Sequence, residues 1–472
     1  MLPRTANYAV WPSVVPADVP TEMTVIPTER AFLLFEGESY TVTVITADAD
    51  ELDYHVPSTA TKYTCKAHDG VLRFTHTFPE EGEHLILLTR EGKKPDEMAV
   101  YSLREDLYRL LPFRADFHSH SYRSDGKRDP AALAGHFREQ GYDTFALTDH
   151  NRFYPGGEID EVYAGVKCGL HRTIGEEVHA PGGVAHIVHV CGKESVTEMY
   201  LKDIEGYQKQ IKDTYLSRVP EDIPEAYKER YAIAMWVTER IHRVGGLAIF
   251  AHPYWRPAGS RVHNVREELA RIFLKSGMFD AYEVIGGMGQ SGVNRSIALW
   301  QEMQNLGYNI PVVGSSDVHN IDGAYSFPHY FTLCFAESTD DESIRAAILA
   351  GNTVAVEATG TEYAREYRAY GKHRLVTFAQ FLFRHFFPHY WRLTQGEGVA
   401  MRAYAMGEAD ASLISLQAEL AESYRDRFFG RRAPVLPSKE MLAFENKWRE
   451  RHLQGPKTKG STILTDDVTV QI

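Results

Sequence analysis

Six short apolar runs in this chain end in imidazole or carboxylate side chains. "RADF" leads into His118 and His120, "TFALTDH" ends at His150, and "RTIGEEV" carries Glu176 and Glu177. "VAHIVHV" carries His186 and His189, "GLAIFAH" ends at His252, and "IPVVGSSDVH" ends at Asp317 and His319. Helical stretches such as "DPAALAGHFREQGYD", "REELARIFLKSGMFD" and "RSIALWQEMQNLGYN" alternate with these runs. Repeated helix-then-strand predicts parallel strands joined by crossover helices. The C-terminal ends of such strands converge when the sheet closes into a barrel. We therefore expect an α/β barrel over residues 113–357, with the polar residues gathered at one mouth.

The spacing suits metal ligation. Residues i and i+2 of a strand point to the same side, so His118 and His120 can hold one ion together, as can Asp317 and His319. Asp125 follows in "HSHSYRSDG". Glu176 and Glu177 point to opposite sides, so one of them enters the site. Imidazole and carboxylate without thiolate suit Zn, Mn or Fe. A lone histidine is ordinarily a satisfied polar residue, and His136, His171, His242, His263 and His385 are read that way. Acids and histidines repeated at successive strand ends point instead to a functional site.

The flanks differ from this pattern. Residues 1–112 contain "AFLLFEG", "YTVTVITA", "VLRFTHTF" and "EHLILLTR", short β-rich runs separated by turn formers, which predict a β-sandwich-like domain. "VLRFTHTF" alternates, placing Leu72, Phe74 and Phe78 on one face. Residues 358–472 are aromatic and helical, and are expected to pack on the barrel, with a mobile tail. Core packing is preferred over a membrane-surface role for "FAQFLFRHFFPHYWRL". A polar helical insertion near 193–243 is expected either to cap the mouth or to decorate the surface. The net charge of -13 argues against a bulk nucleic-acid binder. Four scattered cysteines without a CxxC imply neither a thiolate cage nor a dense disulfide framework, and fit a reducing compartment. With no apolar leader and no membrane-length run, a cytoplasmic location is expected.

The segments "DFHSHSYRSDG", "ALTDHN", "GEEV", "HIVHVCG", "FAHP" and "GSSDVH" occur in the order seen in the PHP (polymerase and histidinol phosphatase) superfamily, which residues 113–357 resemble. The resemblance implies a distorted (β/α)7 TIM-like barrel with two or three divalent ions (Mn, Zn or Fe) and phosphoester hydrolysis. Carried over by position, His118, His120, Glu177 and Asp317 would hold one ion. Asp125, His150 and His319 would hold a second, and Glu177, His186 and His252 a third. Glu176 and His189 stay open as replacements for Glu177 and His186.

The implied function is hydrolysis of a small phosphomonoester or nucleotide by metal-activated water at a trinuclear site. Arg256, Arg152 and Arg295 are the cations best placed in sequence to receive phosphate. Tyr254 and Trp255 could stack on a base or sugar. The rivals are an exonuclease-type phosphodiesterase acting on short oligonucleotides, an amidohydrolase, and a metal-stabilised non-catalytic binding module. An amidohydrolase ordinarily needs a metal-bridging lysine, and no strand end here supplies one.

Overall fold

The computed structural model describes residues 7–48, 57–90, 94–323, 325–360 and 365–454. Two compact units emerge: a larger one built mainly on residues 103–432, and a smaller one on the N-terminal strands and the helix Lys439–Gln454.

In the smaller unit, strands Tyr8–Trp11, Pro20–Pro27 and Leu72–Thr77 form one antiparallel sheet. Strands Val14–Pro16, Asp96–Leu103, Gly82–Thr89, Ser39–Thr46 and Thr61–Lys66 form another. Val25, Val42, Leu72, Phe74, Ile86 and Val100 share one core, so this part is sandwich-like. Period-2 alternation accounts for it: Leu72 and Phe74 are buried while Arg73 and Thr75 are exposed. The helix Lys439–Gln454 departs from the expectation that the C-terminal region packs on the barrel. Its Arg449 guanidinium lies 4.0 Å from the Phe35 ring centre and donates to Glu38 at 2.8 Å.

The larger unit is organised by a mixed ten-stranded sheet. Its strands in chain order are β1 (Leu111–Asp116), β2 (Thr144–Leu147), β3 (His171–Val178), β4 (Ile187–Val190), β5 (Leu247–Phe250), β6 (Ala281–Ile285), β7 (Val312–Gly314), β8 (Tyr330–Ala336), β9 (Thr353–Thr359) and β10 (Glu366–Gly371). The spatial order is β7-β6-β5-β4-β3-β2-β1-β8-β9-β10. The sheet curls until β7 meets β8 and β9. Thr332 donates to the Gly314 carbonyl at 2.8 Å and accepts from its N–H at 3.0 Å, and Thr353 donates to Val312 at 2.7 Å. The result is a nearly closed barrel.

The parallel repeat expected from helix–strand alternation is found in β1–β3 and in β5–β7. β4 corrects it, running antiparallel to both neighbours. Only residues 179–186 separate β3 from β4, and a parallel crossover needs about a dozen or more residues. β8, β9 and β10 are also antiparallel additions, β8 pairing with β1.

Helices cover the sheet. α1 (Pro130–Glu139) begins with Asp129 capping the Ala132 N–H and proline in its first turn. α2 (Pro155–Val162), α3 (Lys228–Arg243), α4 (Glu267–Ser276), α5 (Gln290–Asn305) and α6 (Asp341–Leu349) follow in turn. The C-terminal helices of this unit are α7 (His373–His385), α8 (Phe387–Ala405) and α9 (Ala411–Phe428). α8 packs closely on α1, joined by a buried Arg138–Glu397 ion pair at 2.6 Å. Phe378, Phe381, Phe383, Phe386 and Phe387 of the aromatic segment are all buried. Among the described residues, no helix is long and apolar enough to cross a membrane. The insertion contributes Val196, Tyr200, Tyr207, Tyr215 and Trp236 to the same core as Ile187 and Phe250. The tail beyond residue 454 lies outside the described residues.

Candidate metal centre

The site begins where β1 ends. The buried Asp116 carboxylate accepts the His118 N–H at 3.1 Å and the Ser316 N–H at 3.1 Å, and burial pushes its pKa up to about 7. It thereby ties together the two segments that carry His118 and Asp317. Backbone pairing continues past the strands: Asp317 N–H donates to His118 at 2.9 Å and His120 N–H to Val318 at 3.0 Å. The two i, i+2 pairs therefore lie side by side. His150 is bridged in the same manner to Glu177.

The loop after His120 is folded back by Asp149. Its carboxylate accepts the Ser121 N–H at 2.8 Å, the Ser121 hydroxyl at 2.7 Å and the Ser124 hydroxyl at 2.5 Å. Asp125 then stands 3.4 Å from His150 Nε2 and 3.3 Å from His319 Nε2. Gly126 is needed for this turn, since a Cβ there would sit 2.3 Å from the His120 carbonyl oxygen.

Glu177 lies at the centre. Its Oε2 is 3.3 Å from His118 Nε2, 3.5 Å from His120 Nε2 and 2.8 Å from His150 Nδ1. Its Oε1 is 2.8 Å from His186 Nδ1 and 3.3 Å from His252 Nε2. Asp317 Oδ1 is 3.0 Å from His120 Nε2 and 3.4 Å from His118 Nε2. The groups able to hold a metal ion include His118–His120–Glu177–Asp317, His120–Asp125–His150–His319 and Glu177–His186–His252.

The two open alternatives occupy another place. Glu176 points away from Glu177 and meets His189 at 3.1 Å, the Ser195 hydroxyl at 2.8 Å and the Val196 N–H at 2.6 Å. His189 is buried there, with Gly192 and Gly246 so close that a Cβ on either would collide with its ring. Because β4 is reversed, His186 precedes the strand at the mouth while His189 sits within it.

The sequence reading passed over two further residues. Glu283, on β6, is buried and 2.9 Å from His118 Nδ1. His179 Nε2 is 3.2 Å from Glu177 Oε1. The signal for Glu283 was a carboxylate in the strand run "AYEVIGG", and for His179 an i+2 spacing from Glu177.

A cation fits these donors. The facing atoms of His118, His120, His150, Glu177, His186 and Asp317 are buried and make no hydrogen bond, although each of these imidazole nitrogens stands within 3.5 Å of an oxygen of Glu177 or Asp317. Buried polar atoms ordinarily find partners, and lone pairs directed at a shared point suit a common ion. Burial lowers His120 and His186 to about 4, keeping them as the neutral imidazoles that ligate. Burial also opposes charge on His118, but Asp317, Glu283 and Glu177 outweigh it and hold its pKa well above the usual value. Burial would raise Glu177, yet His118 and His186 hold it well below the carboxylate range. The field between these carboxylates favours positive charge. The backbone follows the site: His252 and Asp317 adopt φ of 20° and 50°, left-handed values that non-glycine residues keep where their surroundings impose them.

The three arginines fare differently. Arg256 lines a cavity of about 260 Å³ with Tyr254, Trp255, His263, Ser291 and Tyr325. Its guanidinium lies 3.1 Å from His263 Nε2. The cavity adjoins the centre: the Trp255 N–H donates to His252 at 2.9 Å, and its ring is 5.4 Å from that of His186. Arg295 is paired with Glu267 at 2.7 Å and stacked on Tyr254, and Arg152 reaches the Tyr154 hydroxyl at 3.3 Å.

No family model matches the chain, and no curated protein matches it. Among solved structures it is similar to a two-domain protein from Bacteroides vulgatus containing a predicted PHP-like metal-dependent phosphoesterase. That match is 20% identical, with a TM-score of 0.40, covering 58% of this chain and 71% of the other. It is also similar to a candidate metal-dependent phosphoesterase from Bifidobacterium adolescentis, at 20% identity and a TM-score of 0.33, covering 50% and 96%. A third similarity is to an amidohydrolase from Chromobacterium violaceum, solved with bound sulfate and no metal, at 16% identity and a TM-score of 0.29, covering 45% and 89%.

Proposed function

We propose that this chain is a PHP-type metal-dependent phosphoesterase that hydrolyses a small phosphomonoester or nucleotide at a trinuclear centre. The observation that carries this reading is the convergence of His118, His120, Asp125, His150, Glu177, His186, His252, Asp317 and His319 on one mouth, with Glu177 shared between groups. Divalent ions bound there would lower the pKa of water toward neutrality and neutralise charge on phosphoryl oxygens. Glu177 would bridge, turning one oxygen to His118, His120 and His150 and the other to His186 and His252. Arg256 would bind the phosphoryl or leaving group from the adjoining cavity, where Trp255 and Tyr325 offer flat faces to the rest of the substrate. Arg295 would act only indirectly, since Glu267 already occupies it. We place the protein in the cytoplasm, which its four free cysteines fit.

Phosphate release with Mn²⁺ supplied, measured against sugar phosphates, nucleoside monophosphates and short oligonucleotides, tests this. Turnover of one class, reduced at least about 100-fold in His252→Ala, is expected from the loss of a metal ligand. Preference for oligonucleotides would favour the phosphodiesterase alternative. No release from any class, with metal bound, would overturn the phosphoesterase reading in favour of a binding module.

A further inference from the structure

Two of the ligand segments carry i, i+2 pairs, His118 with His120 and Asp317 with His319. A third such pair lies at the end of β3, Glu177 with His179. His179 Nε2 stands 3.2 Å from Glu177 Oε1, the same oxygen that faces His186 Nδ1 at 2.8 Å and His252 Nε2 at 3.3 Å. That nitrogen is buried and makes no hydrogen bond, although the side chain keeps 30% exposure. The ring lies 3.8 Å from His186 and 4.7 Å from His150, centre to centre. The ligand atoms of His150, Glu177 and His179 are all within 4.8 Å of one another. The backbone is braced as well: Tyr200, from the insertion, donates to the Asn151 side chain at 2.7 Å and to the His179 carbonyl at 3.4 Å.

We infer that His179 is a further metal ligand, binding through Nε2 the ion held at Glu177 Oε1 beside His186 and His252. This rests on the metal-centre reading above. It gives that position three imidazoles and one carboxylate oxygen, the same count as His120, Asp125, His150 and His319. Such a donor set favours Zn over Mn, whereas His118, His120, Glu177 and Asp317 offer two of each kind. The insertion thereby acquires a task, since Tyr200 holds the segment that presents His179.

The test uses the full chain, stripped with chelator and reloaded with Zn²⁺ or Co²⁺, with bound metal counted per chain. His179→Ala and His186→Ala should each lose one ion, or hold it at least about tenfold more weakly, a loss seen even for outer partners of metal ligands. His179→Cys should retain that ion and, loaded with Co²⁺, show a thiolate-to-cobalt charge-transfer band absent from the wild type. Full occupancy and unchanged affinity in His179→Ala, with an ion lost from His186→Ala, would overturn this inference and leave the metal centre standing. A Co²⁺-loaded His179→Cys protein without the band would overturn it too. A wild-type chain that binds no metal would overturn both.

Discussion

His118 uses both ring nitrogens. Nδ1 meets Glu283 at 2.9 Å, while Nε2 faces Glu177 and Asp317. A carboxylate on the far nitrogen fixes tautomer and ring orientation and raises ligand basicity. Glu283→Gln keeps the volume but removes the charge. It is expected to weaken metal binding about 10- to 100-fold while leaving the fold intact. Competitive titration against a coloured chelator measures this, and an unchanged affinity would show that Glu283 merely fills space. Glu283 escaped the sequence reading because it lies inside β6 rather than at the end of an apolar run, and only its register turns it inward.

The loop between β6 and α5 shows how an element shapes the site. A Cβ on Gly287 would stand 1.9 Å from Asp317 Oδ2, and one on Gly286 1.9 Å from Glu283 Oε1. Gly287 does not have a positive φ, so alanine fits its backbone and only the methyl group collides. Gly287→Ala should displace Asp317, with loss of bound metal and activity but an unchanged far-ultraviolet circular dichroism spectrum. Full metal content in that variant would mean the loop yields freely. At this scale the helix–strand alternation was legible and the reversal of β4 was not. Its direction is set by the short link of residues 179–186, which no pattern within the strand reveals.

For the molecule as a whole, the centre concentrates ionisable groups in a buried mouth, and an ion that binds only the folded state stabilises it. At free metal about 100-fold above Kd this amounts to about 2.7 kcal/mol. Chelation should lower the melting temperature, and added Zn²⁺ or Mn²⁺ should restore it, as differential scanning calorimetry would record. Melting indifferent to chelator would count against resident ions. The overall acidity does not conflict with the proposed anionic substrate, because metal ions bound at the mouth would set the local field.

The sequence by itself determined the chemistry on offer and most of its order. Imidazole and carboxylate recur at strand ends, and period-2 spacing puts His118 with His120 and Asp317 with His319 on a common side. It also marked the sandwich-like strands, since alternation such as Leu72 and Phe74 depends only on local period. Tertiary structure alone decided between neighbours. Glu176 and Glu177 are one residue apart, so strand register chooses which faces His118 and which faces His189. Strand direction chooses between His186 and His189, because reversing β4 brings its beginning, not its end, to the mouth. Register and direction are settled by pairing with residues distant in the chain, which is why neighbouring residues of like chemistry could not be told apart before the fold was known.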